Sequence, residues 1–134
     1  MSKYNCISFL HNEINKEHLT FKMHWGWDNS CGYANGYVAI PPEHPLYGCD
    51  YDDFYVDVHG GLTYGRLGSI VKNSFNPNYI ELIRIEDIPD DYWVFGFDTM
   101  HWGDTLDNWS RENVIAEVKK LENFFANYVE NSDE

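Results

Sequence analysis

The sequence predicts an α+β fold, an antiparallel sheet with a C-terminal amphipathic helix packed on it. Three observations lead there. Short runs that alternate apolar and polar residues, each closed by turn formers, recur along most of the chain. A single stretch of helical periodicity occupies the last quarter. The length, 134 residues, suits one core that buries about two thirds of the unfolded surface. The chain therefore reads as a single domain over 1–134, with an acidic, frayed tail at 130–134.

The stretch through Glu17 follows neither period cleanly. Leu19–Trp27 (LTFKMHWGW) sets Leu19, Phe21, Met23 and Trp25 against Thr20, Lys22 and His24, the pattern of a half-buried strand. Tyr37–Ile40 (YVAI) is a short strand stopped by Pro41 and Pro42, and the turn formers of Asp28–Gly36 suit a hairpin between the two. Phe54–His59, Tyr79–Ile85 and Tyr92–Phe97 are three further β-rich runs. Gly65–Asn78, rich in Gly, Asn and Ser, reads as a long surface loop anchored near Ile70 and Val71, with the length of a lid or rim. From Arg111 onward Val114, Val118, Leu121, Phe125 and Tyr128 recur at helical spacing, with Ser110 placed to cap the helix.

Nine Lys plus Arg against 22 Asp plus Glu leave a formal charge of -13. Such a chain repels duplex DNA, RNA and anionic membranes, so neither nucleic acid nor membrane is expected as a partner. No run approaches the roughly 20 apolar residues of a membrane span, and Met1–Leu10 lacks the basic start and apolar core of a signal peptide, which points to the cytoplasm. Cys6, Cys31 and Cys49 are odd in number and widely spaced, the pattern of reduced thiols. Aromatic residues make up 17% of the chain, enough for some rings to line a concave site.

Three His-centred motifs carry the candidate chemistry. In PPEHPLYGCDYDD, Pro41–Asp53, Pro45 holds His44 extended, with Tyr47 close behind; the alternative is a proline-braced turn whose His caps a backbone carbonyl. In DVHGGLTY, Asp57–Tyr64, alternation puts Asp57 and His59 on one face. Gly60 and Gly61 then permit positive φ and close approach of a ligand to main-chain N–H groups, while Thr63 and Tyr64 add hydroxyls; the alternative is a plain hairpin turn. In GFDTMHWGDT, Gly96–Thr105, Asp98, His101 and Asp104 can converge on one metal, or a carboxylate can orient an imidazole, with Trp102 and Trp109 beside them for stacking; the alternative is a set of Asp caps with structural tryptophans.

The ordered set HPLYG, DYDD, VHGGLTY, GFDTMHWGD and a terminal amphipathic helix, over roughly Gly36–Phe125, resembles a family of small phage- and prophage-encoded proteins. The resemblance implies a phage-type anti-defence role in the cytoplasm of an infected or lysogenic bacterial host. It implies a protein that binds and sequesters a small nucleotide-derived immune signal, of the cyclic dinucleotide or cyclic ADP-ribose type. The pocket so implied comprises His44, Tyr47, His59, Gly60, Gly61, Thr63, Tyr64, Asp98, His101, Trp102 and Asp104, with Arg66 and Arg84 as the cations best placed to help.

Sequestration is placed ahead of two alternatives. In the first, His59, Asp98, His101 and Asp104 bind a divalent metal, or His59 and His101 act as an acid-base pair, and a phosphodiester is hydrolysed. In the second, the acidic surface inhibits a host protein. No cofactor is required by the first-placed reading; the hydrolase admits a divalent metal, and a homo-oligomer is compatible with all three.

Overall fold

The computed structural model describes residues 2–12, 31–101 and 103–130. Among the described residues five strands form one antiparallel sheet: β1 (Ile7–His11), β2 (Asn35–Ile40), β3 (Tyr64–Leu67), β4 (Ile80–Glu81) and β5 (Trp93–Phe97), in the order β3-β5-β2-β1-β4. Helix α1 (Gly68–Ser74) follows β3, and α2 (Arg111–Ala126) ends the described fold. The α+β architecture with a C-terminal helix on the sheet is the one the sequence predicts.

Strand alternation sorts the side chains onto two faces. Leu10, Val38, Ile40, Phe95 and Phe97 join Val114, Val118, Leu121 and Phe125 of α2 in one apolar cluster. Phe9, Tyr37, Ala39 and Val94 meet Val71 of α1 and Ile88 on the other. Each of these four large α2 side chains contributes about 1.5–3 kcal/mol, which makes this helix the main cover of its face. The Ser110 hydroxyl accepts from the Asn113 amide, as the capping pattern predicts. At the sheet centre Gly36 lies under the Phe97 ring and Gly96 under the Tyr37 ring, where a Cβ would fall 2.6 and 2.3 Å from ring carbons.

Several expectations are corrected. Phe54–His59 is not a ladder strand: Val56 and Val58 are buried and Asp57 exposed, so the alternation reflects an extended segment pressed on the core without strand partners. Tyr79–Ile85 narrows to the two-residue β4, because Leu82 turns the chain at a φ of 81° and a 3-10 turn starts at Ile85. Gly65–Asn78 is neither a loop nor a lid: it holds the end of β3 and all of α1, with Val71 buried and Ile70 exposed. β1 falls in the stretch that followed neither period. The strand expected over Leu19–Trp27, its hairpin and the tail at 131–134 lie outside the described residues. No helix of the described residues is long and apolar enough to cross a membrane.

Candidate functional site

The antiparallel pairing of β3 with β5 determines where the second and third motifs meet. In such a pair, the segment entering one strand and the segment leaving the other emerge at the same end of the sheet. Tyr64 pairs with Gly96, and the Thr63 amide donates to the Gly96 carbonyl at 2.8 Å. His59–Gly61, just before β3, is thereby set beside Asp98–Asp104, just after β5. Buried Val58 anchors the first segment. Buried Thr99 anchors the second: its amide donates to Asn35 Oδ1 and its hydroxyl to the Ala34 carbonyl, while its own carbonyl accepts from Gly32.

Asp104 is the hub. Its side chain is 5% exposed, and a carboxylate so placed must be well supplied with donors. His59 Nε2 lies 2.9 and 3.0 Å from its two oxygens. The His101 amide donates to Oδ2 at 2.9 Å, and His101 Nδ1 stands 3.4 Å from the same oxygen. At the same ring nitrogen, Asp98 Oδ1 is 3.3 Å from Nδ1 and also accepts from the Met100 amide. The carboxylate accepts, so the proton of neutral His59 sits on Nε2 and that of neutral His101 on Nδ1. His59 Nδ1 and His101 Nε2 are then the ring nitrogens with a free lone pair. The His101 side chain is 37% exposed.

Three further contacts fix the imidazoles. The His59 amide donates to Glu117 Oε2 of α2 at 2.8 Å. The His59 ring packs on Trp109 with centroids 4.2 Å apart and meets the His101 ring edge-on at 5.3 Å. Gly60 has a φ of 69°, and a Cβ there would fall 2.4 Å from His101 Cε1 and 2.7 Å from Nε2. A side chain at this position would therefore displace the ring. At Gly61 and Gly103 no heavy atom of the described residues other than the chain neighbours comes within 4 Å of the Cβ position.

Of the predicted residues, His59, Gly60, Asp98, His101 and Asp104 come together, with Gly61 and exposed Thr63 on the rim. The first motif goes elsewhere. His44 is buried against Tyr4, Phe125 and Tyr128; its Nε2 donates to the Phe125 carbonyl at 2.8 Å and its Nδ1 accepts from the Leu46 amide at 3.0 Å. Both ring nitrogens serve the main chain, and burial lowers its pKa, so this is the carbonyl-capping turn weighed above. The Tyr47 hydroxyl donates to the Asp91 carbonyl, and the Tyr64 ring packs on Tyr37 and Phe75. Trp102 lies outside the described residues. Arg66 turns onto the Gly65 carbonyl and Arg84 onto Glu86, so neither reaches the histidines. The residue that sequence reasoning missed is Glu117: it falls on the polar face of a surface helix, with nothing local to tie it to a histidine 58 positions earlier.

A cleft of about 460 Å³ lined by Lys3, Tyr4, Cys6, Glu43 and Glu122 contains none of the predicted site residues. Its thiol is inert, because burial and the two glutamates push the Cys6 pKa up to about 12. Cys6 and Cys49 are free thiols. Compared with known proteins, the chain matches no family model, no curated protein and no solved structure.

Proposed function

We propose that the protein is a hydrolase that cleaves a phosphodiester bond in a small nucleotide-type ligand, with His59 and His101 as the proton-handling groups. The single observation that carries this reading is the nearly buried Asp104 carboxylate held between two imidazoles. A carboxylate on one ring nitrogen fixes the tautomer and leaves the lone pair on the other, the arrangement by which proteins orient a general base. His101 Nε2 is that base: it packs beside Gly60, and its side chain is more than a third exposed. His59, more enclosed and braced by Glu117 and Trp109, is the partner acid.

Sequestration without cleavage is the second reading, favoured by the open space at Gly61 beside the histidines. It makes no use of the carboxylate between the rings, and for that reason it comes second. Incubation with cyclic dinucleotides and ADP-ribose derivatives, followed by heat denaturation and chromatography, separates the two. New products that disappear in His101→Ala support hydrolysis; ligand released unchanged supports sequestration. No depletion of any compound contradicts both and brings the protein-inhibitor alternative forward.

A further inference from the structure

We propose that His59, His101 and Asp104 bind one divalent transition-metal ion, with the Asp98 carboxylate beside the His101 Nδ1 donor adding negative charge to the centre. The inference rests on the hydrolytic reading of the same centre and gives its metal-dependent form: an ion on His59 Nε2 and His101 Nδ1 would move the ring protons to the opposite nitrogens, so the two histidines would serve as ligands in place of the proton-handling pair. One donor atom from each of the three residues lies within 4.8 Å of the others. Ligands about 2.0–2.2 Å from an ion lie roughly 2.9–3.5 Å apart, from octahedral neighbours to tetrahedral corners. The nitrogen–oxygen separations here are 2.9, 3.0 and 3.4 Å.

Protons alone satisfy the cluster poorly. His101 Nδ1 carries a single hydrogen, yet stands 3.3 Å from one carboxylate and 3.4 Å from another, too far for a good bond to either. With both rings uncharged the centre carries a formal charge of -2. Among the described residues no Lys or Arg forms an ion pair with Asp98 or Asp104. One divalent cation cancels that charge and satisfies both carboxylates at once. Two imidazoles and a carboxylate select zinc, manganese, iron(II) or cobalt over calcium and magnesium. The exposed trio Asp50, Asp52 and Asp53 offers oxygen donors only and has no comparable enclosure. When bound, such an ion supplies an acidified water and Lewis acidity.

The test is a Co2+ titration of the metal-stripped full chain, followed by visible absorption and by metal content after desalting. The expected result is saturation at one ion per chain. His59→Ala abolishes it, Asp98→Asn weakens it about 10–100-fold, and Asp52→Asn leaves it unchanged. Circular dichroism monitors folding, and the more exposed His101→Ala replaces His59→Ala if the latter unfolds. No uptake, or uptake that survives both histidine variants, overturns the metal site, as does uptake lost only in Asp52→Asn. Stripped protein that takes up no Co2+ and still cleaves nucleotide leaves hydrolysis standing without the metal. Uptake with no cleavage of any nucleotide leaves the metal and removes the hydrolase.

Discussion

Gly60→Ala against Gly61→Ala separates backbone strain from damage to the site. Both glycines have positive φ, 69° and 76°, where an L-residue with a Cβ costs roughly 1–2 kcal/mol. For a chain of this length that cost lowers Tm by about 3–10 °C in either variant. Only Gly60→Ala adds a collision, since the new methyl would lie 2.4 Å from His101 Cε1 and 2.7 Å from Nε2. The ring must then swing away from Asp104 and Asp98, giving up contacts already 3.3–3.4 Å long. Misplacing the ring by about 1 Å costs activity on the order of tenfold to a hundredfold. Gly61→Ala has open space around its methyl and should keep its activity within a few-fold. The assay is thermal unfolding by circular dichroism together with nucleotide cleavage. Equal activity in the two variants would show that the position of His101 does not govern function, and the reasoning would fail.

Acid should destabilise the fold well above the carboxylate range. Burial lowers the His11 pKa from 6.5 to about 4 and lowers that of His44 in the same direction. Between those values the unfolded chain binds protons that the native state refuses, so stability falls as the pH drops from about 6.5 and the loss levels off below about 4. His11, 3% exposed, accounts for about 2 kcal/mol between pH 7 and pH 5; urea unfolding should show it, and His11→Leu should flatten the slope. Ser110→Ala removes the hydroxyl that caps α2 and should cost about 1 kcal/mol in urea unfolding without changing the charge at the site. Asp104→Asn, which presents an amide N–H₂ to rings that already donate, should lower activity more than Asp98→Asn, whose carboxylate touches one ring only.

The helix and the central strands were legible because their periods are local. Val114, Val118, Leu121 and Phe125 repeat every three or four residues, and Phe95 and Phe97 alternate. The same rule misled at Phe54–His59, since alternation reports burial of every second side chain and not a hydrogen-bonded partner. The pairing of Asp98, His101 and Asp104 was readable from one turn, and Gly60 from its need for positive φ. The exclusion of His44 was not readable, because its partners Tyr4, Phe125 and Tyr128 come from both ends of the chain. Nor was Glu117, whose tie to the His59 amide exists only once α2 has packed.

The most direct test of the central claim is a double-mutant cycle on nucleotide cleavage, with kcat/KM measured for wild type, His59→Ala, His101→Ala and the double variant. Two imidazoles sharing one carboxylate act as a unit, so the double variant should be scarcely slower than the worse single one. Losses that multiply would mean that the rings act independently. Full activity in either single variant would remove that histidine from the centre.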